Sequence, residues 1–313
     1  MINMTHLTRR YGKLTAVDDI SVHIKRGEVV GLLGHNGAGK TTVMKMLTGF
    51  LEPSAGSICV DQLEIGSDTT AIQRRIGYLP ENCPIWPEMT VIELLEYQAA
   101  LHDLPVPRRA RAVADAIRRT ALKDKATALI QTLSRGYRQR VGVAQAILHQ
   151  PDIVILDEPT NGLDPTQILH MRELIRELSQ SATLIISTHI LQEVQAVCDR
   201  VLIMRAGRLV VDARLDELQR ESQLRVTLDR GENEVRAVLQ AVQGVGSVKL
   251  ISELDGRYHY TVLAEESLAP AISAAVYEAG LALYSLYREQ RTLETLFAEV
   301  NATDADGKVP YAA

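Results

Sequence analysis

The sequence contains few of the residues that mark disulfide-rich or metal-binding proteins. Of its 313 residues only three are cysteine, Cys59, Cys83 and Cys198, and their spacing matches no metal-ligand motif. Isolated cysteines of this kind are typical of small, mostly buried thiols in a reducing compartment. We therefore expect a cytoplasmic protein.

Long hydrophobic runs are absent as well. No apolar run approaches the roughly 18 to 20 residues that span a bilayer, and residues 1–10 lack the apolar core of a signal peptide. The sequence therefore predicts that any role at a membrane depends on a partner.

A basic excess is also missing, since the net charge is −5. This balance gives no indication of nucleic-acid binding, although a local basic patch remains an alternative. Arginines cluster at 108–111 and 118–119, where we favour a solvated helix face over an anion site. With 46% hydrophobic and 23% charged residues, the chain is typical of a protein with a sizeable core, and its length suggests two domains.

The strongest motif fits G-x-x-x-x-G-K-[ST]. It consists of Gly34, His35, Asn36, Gly37, Ala38, Gly39, Lys40, Thr41 and Thr42. An apolar run at 29–33 predicts a buried strand before it, and residues 42–47 predict a helix after it. In that context backbone N–H groups point at a phosphate from the helix N-terminus. Lys40 would reach the β- and γ-phosphates, and Thr41 would hold Mg²⁺. The alternative is a glycine-rich turn that happens to contain a lysine.

Acidic residues and a histidine follow two further apolar runs. Residues 153–156 precede Asp157 and Glu158, and a second predicted strand precedes His189. Apolar runs of this type are typical of parallel strands buried on both faces, and ligands bind at the carboxyl ends of such strands. A carboxylate there helps to hold Mg²⁺ in phosphate-loop enzymes. The alternatives are two acidic residues that simply end a strand and a structural histidine.

Other elements follow from periodicity and turn residues. We expect two strands within residues 2–24 around a turn at Gly12, and Tyr11 there is either an adenine-stacking ring or a half-buried strand tyrosine. Three prolines exclude regular structure from residues 80–87, and Ser134 is a candidate helix N-cap. The remaining expected elements are short strands at 56–61 and 75–79, helices over 90–122 with a break at 104–107, and a helix at 165–178.

Together and in this order, these residues resemble the ATP-binding subunits of ABC transporters. The resemblance covers residues 1 to about 220 and implies an α/β phosphate-loop ATPase fold, with a mixed sheet core and a helical subdomain. It also implies a role for each motif. Tyr11 stacks on adenine, residues 34–42 bind phosphate, Asp157 holds the metal, Glu158 is the catalytic base and His189 senses the γ-phosphate. Ser134 and Gly136 of the signature loop 133–137 face the γ-phosphate held by a second copy, and residues 161–164 cross the dimer interface.

Two positions depart from the family pattern. The signature is usually Leu-Ser-Gly-Gly-Gln, whereas Arg135 and Tyr137 stand here in place of a glycine and the glutamine. The glutamine that usually contacts Mg²⁺ and signals to the membrane subunit is replaced by Glu81, for which a surface carboxylate is the alternative. With the long C-terminal extension, these features resemble the ATPases of gliding-motility-type and copper-processing-type exporters.

We expect an ATPase domain at 1–221, with its helical subdomain at about 88–148, and a small α+β domain at 222–301. The predicted order βαββαβ in the second domain is typical of a ferredoxin-like fold. Residues 302–313 form a polar tail that we expect to be flexible.

The resemblance implies a Mg²⁺-dependent ATPase that binds ATP and powers an exporter through ATP-dependent dimerisation. Its partners would be a membrane-spanning permease subunit and a second copy of the chain in an ATP-sandwich homodimer, with no nucleic acid. It would lie in the cytoplasm, peripheral on the inner face of the cell membrane. The alternatives are a soluble ABC ATPase acting on nucleic acid or ribosomes, and a regulatory nucleotide-binding module without turnover.

Overall fold

The computed structural model describes residues 1–220, 222–290 and 293–302. The chain divides into two compact units, Met1–Arg214 and Leu215–Ala313. Most of the predicted tail lies outside the described residues, because the last described helix ends at Ala302.

The first unit contains both strands and helices. They are β1 (Ile2–Tyr11), β2 (Leu14–Ile24), β3 (Val29–Leu33), α1 (Lys40–Leu47), β4 (Ala55–Val60), β5 (Leu63–Glu64), α2 (Thr69–Gln73), β6 (Ile76–Leu79), α3 (Val91–Leu101), α4 (Val106–Arg119), α5 (Arg135–Ile147), β7 (Ile153–Asp157), α6 (Pro165–Ser179), β8 (Thr183–Thr188), α7 (Leu191–Val197), β9 (Arg200–Arg205) and β10 (Arg208–Arg214).

The central layer of this unit is a six-stranded sheet in the order β10-β9-β3-β8-β7-β6. All neighbours pair in parallel except β10, which pairs antiparallel with β9 at one edge. Every residue of β3, β7 and β8 is buried, as the apolar runs predicted. The carboxyl ends of these three adjacent strands therefore meet at one edge of the sheet.

A second, antiparallel sheet has the order β2-β1-β4-β5. Residues of β1, β2 and β4 share one core with α1 and with one face of the six-stranded sheet. Helix α1, which begins directly after the phosphate loop, is therefore held between the two sheets. Val43 and Met44 of α1 are almost completely buried in this core.

Three helices, α3, α4 and α5, surround a separate apolar core. Helix α3 begins with a capping box, in which the Thr90 hydroxyl accepts from the Glu93 amide and the Glu93 carboxylate accepts from the Thr90 amide. Residues 80–87 contain neither helix nor strand, as predicted. The break between α3 and α4 lies two residues earlier than predicted, at 102–105, because α3 ends at Leu101 and α4 already begins at Val106 after its N-cap Pro105.

The second unit consists of α8 (Leu215–Arg220), β11 (Ser222–Leu228), α9 (Glu232–Gln240), β12 (Val248–Leu254), β13 (Arg257–Leu263), α10 (Ala269–Glu278), β14 (Leu283–Gln290) and α11 (Leu293–Ala302). Its antiparallel sheet has the order β12-β13-β11-β14 and shares a core with α9 and α10. From β11 to β14 the elements follow the predicted βαββαβ order. The assignment to the ferredoxin-like class stays a prediction.

No helix within the described ranges is long and apolar enough to cross a bilayer.

Candidate functional site

The phosphate-loop motif occupies the connection between β3 and α1. Gly39 caps α1 with φ at 104°, a conformation that favours glycine. A Cβ at this position would lie 2.5 Å from the carbonyl oxygen of Ala16, so glycine is required for space as well. The Lys40 side chain is buried, and its Nζ donates to the carbonyl oxygens of Gly34 at 2.6 Å and His35 at 3.3 Å. The loop therefore folds around the amine of its own lysine.

Glu158 follows directly after β7 and is 7% exposed. Its backbone has φ at 50°, which is uncommon for a residue with a side chain, and its amide donates to the carbonyl oxygen of Ser187 on β8 at 3.0 Å. Its Oε1 lies 3.7 Å from Nζ of Lys40, and its Oε2 lies 2.9 Å from Nδ1 of His189. The start of α1 and the ends of β7 and β8 thus bring a lysine, a carboxylate and a histidine together.

Asp157 is the last residue of β7 and is only 1% exposed. Neither carboxylate oxygen has a hydrogen-bond partner among the described residues, and the same holds for the hydroxyls of Thr160 and Ser187. Ser187 is the register partner of Asp157 on β8. Burying a carboxylate without a donor is costly, and carboxylate and hydroxyl oxygens suit Mg²⁺. The residues at this position therefore fit a divalent cation.

A cleft of about 270 Å³ opens at this edge of the sheet. It is lined by Ala16, His35, Asn36, Gly37, Ala38, Gly39, Lys40, Thr41, Thr42, Glu81, Glu158, Asn161 and His189. The sequence had placed all of these residues in ligand-contacting motifs except Ala16, which carries no chemical signal, and Asn161, which the resemblance assigned to a dimer interface.

The other predicted site residues lie outside the lining of this cleft. Tyr11 is 45% exposed at the end of β1, with the Arg9 guanidinium 4.7 Å from its ring centroid. Ser134 is the N-cap of α5, as predicted, and its Oγ accepts from the Tyr137 amide at 3.4 Å. Gly136 is buried in the first turn of the same helix. The signature segment of one copy is therefore not part of that copy's own cleft.

The chain is similar to proteins of one family along most of its length. The family model described as ABC transporter matches residues 17–161. The ABC transporter ATP-binding protein NatA of Bacillus subtilis (strain 168) is 38% identical over 224 residues, covering 70% of this chain and 91% of NatA. The linearmycin resistance ATP-binding protein LnrL of the same organism is 30% identical over 304 residues, covering 95% of this chain and 97% of LnrL.

The fold is also similar to a solved structure. The structure of cbiO1 from Clostridium perfringens, titled as part of the ABC transporter complex cbiONQ, matches with a TM-score of 0.64 and 29% identity, covering 69% of this chain and 89% of cbiO1. The strand-end cluster, the cleft and these similarities agree with the resemblance found in the sequence. The chain belongs to the family of ABC transporter ATP-binding proteins, which are ATPases.

Proposed function

We propose that this protein hydrolyses ATP in the cleft beside residues 34–42 and thereby energises an ABC-type exporter. The observation that carries the proposal is the cluster of buried Lys40 and Glu158 with the more exposed His189 beside the phosphate loop. This cluster combines a cation for the phosphates, a carboxylate for the attacking water and a histidine that orients the carboxylate.

Lys40 and the loop amides would neutralise the phosphates of ATP. In the structure Nζ of Lys40 donates to carbonyl oxygens of its own loop. Phosphate oxygens are stronger acceptors for this amine than the carbonyls, because they carry negative charge and both partners of the hydrogen bond are then ionised. We therefore expect the amine to leave the loop carbonyls when ATP binds.

Glu158 would polarise a water for in-line attack on the γ-phosphoryl group. Its carboxylate has one oxygen toward Lys40 and the other toward His189, so the side chain is held in one orientation. The His189 side chain is 46% exposed and lines the cleft, which lets its ring contact both Glu158 and the γ-phosphate. Fixed groups of this kind stabilise a transition state without reorganising.

Thr41, Glu81 and Asp157 would hold Mg²⁺. Thr41 and Glu81 line the cleft, and Asp157 offers two buried oxygens without donors. When bound, the ion supplies positive charge that offsets the charge on the β- and γ-phosphates.

A second copy of the chain would complete each cleft. Ser134 and Gly136 lie outside the cleft of their own chain, although the resemblance assigns them to the γ-phosphate. Two copies facing each other would place each signature segment on the other's nucleotide, with ATP bound between them. Dimerisation would then depend on ATP, and hydrolysis would release the copies.

A membrane-spanning permease subunit would be the partner that carries the transport path, and it would hold this protein at the inner face of the cell membrane. LnrL, named for linearmycin resistance, aligns along nearly the whole chain, the second unit included, which favours export over import. Within the family, the resemblance to gliding-motility-type and copper-processing-type ATPases, based on Glu81, Arg135 and the second unit, stays a prediction.

The test is phosphate release by the purified protein with Mg-ATP, alone and with the co-purified permease. We expect release by the wild type, stimulation or inhibition by the permease, and loss of release in the Glu158→Gln variant. Release by that variant at the wild-type rate would contradict the proposed role of Glu158. A permease that leaves the wild-type rate unchanged would contradict the transport role.

A further inference from the structure

The loop that follows Glu158 connects the end of β7 to helix α6 through two consecutive turns. The Asn161 amide donates to the Glu158 carbonyl at 3.1 Å, and the Leu163 amide donates to the Thr160 carbonyl at 3.2 Å. Leu163 packs against a buried core, and Asp164 caps α6 by accepting from the Gln167 amide at 2.9 Å. Both ends of the loop are thus anchored, and Asn161 in its middle lines the ATP cleft.

Gly162 adopts a backbone conformation in this loop that favours glycine. Its φ is 70°, in the region that side chains rarely adopt. A Cβ at Gly162 would lie 2.5 Å from both Cζ and Nη1 of Arg135 and 2.8 Å from its Nε. The guanidinium therefore occupies the space in which a side chain at Gly162 would stand.

Arg135 is the first residue of α5 and is exposed. Its guanidinium lies against the backbone of Gly162. A guanidinium is planar and weakly hydrated on its faces, and it packs well on a flat surface such as bare backbone. The contact with Gly162 is therefore a packing contact, in which the guanidinium lies against the backbone of the loop.

A second close contact ties the same two segments together. A Cβ at Gly136 would overlap the side-chain amide of Gln167 in the first turn of α6. The start of α5 thus packs against the segment 162–167 at two neighbouring points. Arg135 stands where the family usually has a glycine, which has no side chain to reach Gly162.

From these contacts we infer that Arg135 is a positioning residue for the ATP site, which holds the loop after Glu158 so that Asn161 stays in the cleft. This inference rests on the proposed ATP hydrolysis in that cleft and adds to it a contact from the start of α5. Removing the guanidinium frees Gly162 and lets Asn161 and Glu158 shift. Small displacements of groups around a reacting phosphate reduce the rate strongly, whereas binding of the phosphates through residues 34–42 is unaffected.

The first experiment compares Arg135→Ala with Arg138→Ala, which removes the same charge from another exposed position of α5. We expect kcat to fall by roughly tenfold in Arg135→Ala, with the ATP dissociation constant within about twofold of wild type, and both values to stay unchanged in Arg138→Ala. Equal kcat in wild type and Arg135→Ala would overturn the inference. An equal fall of kcat in Arg135→Ala and Arg138→Ala would overturn it too, because the loss of a positive charge from α5 would then account for the effect.

The second experiment measures amide hydrogen exchange in the full chain without nucleotide, so it does not depend on turnover. Arg135→Ala should raise deuterium uptake in residues 159–163 and leave β3 unchanged. Uptake equal to wild type in 159–163, or a rise throughout the first unit, would overturn the inference. If the wild type hydrolyses no ATP, the proposed function fails. The exchange measurement still shows whether Arg135 holds the loop through Gly162.

A double-mutant cycle adds a measure of the direct contact. Gly162→Ala introduces backbone strain in any background but collides with the guanidinium only when Arg135 is present. We therefore expect Gly162→Ala to lower kcat at least about threefold more in wild type than in Arg135→Ala. If Gly162→Ala lowers kcat by the same factor in wild type and in Arg135→Ala, the inference is overturned.

Discussion

Nζ of Lys40 and Oε1 of Glu158 lie 3.7 Å apart, and the two side chains are only 6% and 8% exposed. Opposite charges at this distance in a buried setting depend on each other, because the loss of one leaves the other without compensation. The pair joins the phosphate loop after β3 to the end of β7, two strands away in the sheet. Variants at either position therefore test both chemistry and local structure.

Glu158→Gln should trap an ATP-bound dimer with little turnover. The amide keeps the shape of the side chain but cannot act as a base, so ATP stays bound between the two copies. The measurement is molecular mass by light scattering with and without Mg-ATP. The same comparison belongs on a chain ending near residue 221, in which the second unit cannot hold two copies together. A mass that does not respond to Mg-ATP, in conditions where the wild type turns over, would contradict the prediction.

Lys40→Ala should abolish nucleotide binding and not merely slow hydrolysis. The variant removes the charged donor to the phosphates and also leaves Glu158 buried beside no cation, which lowers the free energy of unfolding by roughly 3 kcal/mol. Lys45→Ala, on the same helix but outside the cleft lining, is the matched control. Titration with a fluorescent ATP analogue measures the affinity. Near wild-type affinity in Lys40→Ala would mean that residues 34–42 do not hold the phosphates.

Substitutions of Glu81 should separate metal binding from communication with the permease. Glu81 lines the cleft and is the second residue of the proline-rich loop at 80–87. A glutamine still offers an oxygen to Mg²⁺, so Glu81→Gln should retain most of the turnover. Glu81→Ala should leave a slow basal rate that the permease no longer changes. The ATPase rates of all three proteins with and without reconstituted permease decide this. An alanine variant that responds to the permease as wild type does would show that Glu81 is a surface carboxylate.

Protonation of His149 should weaken the fold in mildly acidic solution. Burial, together with the neighbouring His102, whose ring stacks on it at 3.9 Å, lowers the pKa of His149 to about 4. Its unfolded value is near 6.5, so the unfolded chain binds the extra proton first as the pH falls. The stabilisation by neutral His149 is therefore complete above about pH 6.5 and decreases between pH 6.5 and 4, by at most roughly 3 kcal/mol.

Urea unfolding at pH 7 and pH 5 tests this expectation. The comparison is with His149→Gln, whose amide can donate to the Ile76 carbonyl as Nε2 of His149 does at 3.1 Å, but does not titrate. The wild type should lose more stability than the variant between the two pH values. Equal losses would mean that other groups account for the acid sensitivity.

The sequence predicted those parts of the fold where local pattern and burial agree. The continuous apolar runs of β3, β7 and β8 are long enough to indicate burial on both faces. The phosphate-loop motif also showed which end of β3 faces the ligand. Residues 200–214 were given no structure, although Val201, Leu202, Ile203 and Met204 form an apolar run bounded by arginines. The turn between β9 and β10 uses positive φ at Ala206 and Gly207, of which only the glycine is a visible turn signal.

The candidate site was predictable in its residues but not in its contacts. Motif spacing identified Lys40 at the start of α1, and Glu158 and His189 directly after β7 and β8. That Lys40 pairs with Glu158 follows from the order of strands in the sheet, which no local pattern encodes. The contact of Arg135 with Gly162 depends on the packing of α5 against the segment before α6, so the sequence marked Arg135 only as a departure from the family.

The position of β3 in the sheet has a consequence for synthesis of the chain. Its two neighbours are β8 and β9, and about 155 residues separate the end of β3 from the end of β8. At ribosomal rates of roughly 5 to 20 residues per second, roughly 8 to 30 seconds pass between the synthesis of β3 and the synthesis of its partner β8. During that time the emerging chain holds an unpaired apolar strand and has no site for ATP. Nucleotide binding is thus a late event in biogenesis, and a chain interrupted before β8 would have to be protected by chaperones without help from its ligand.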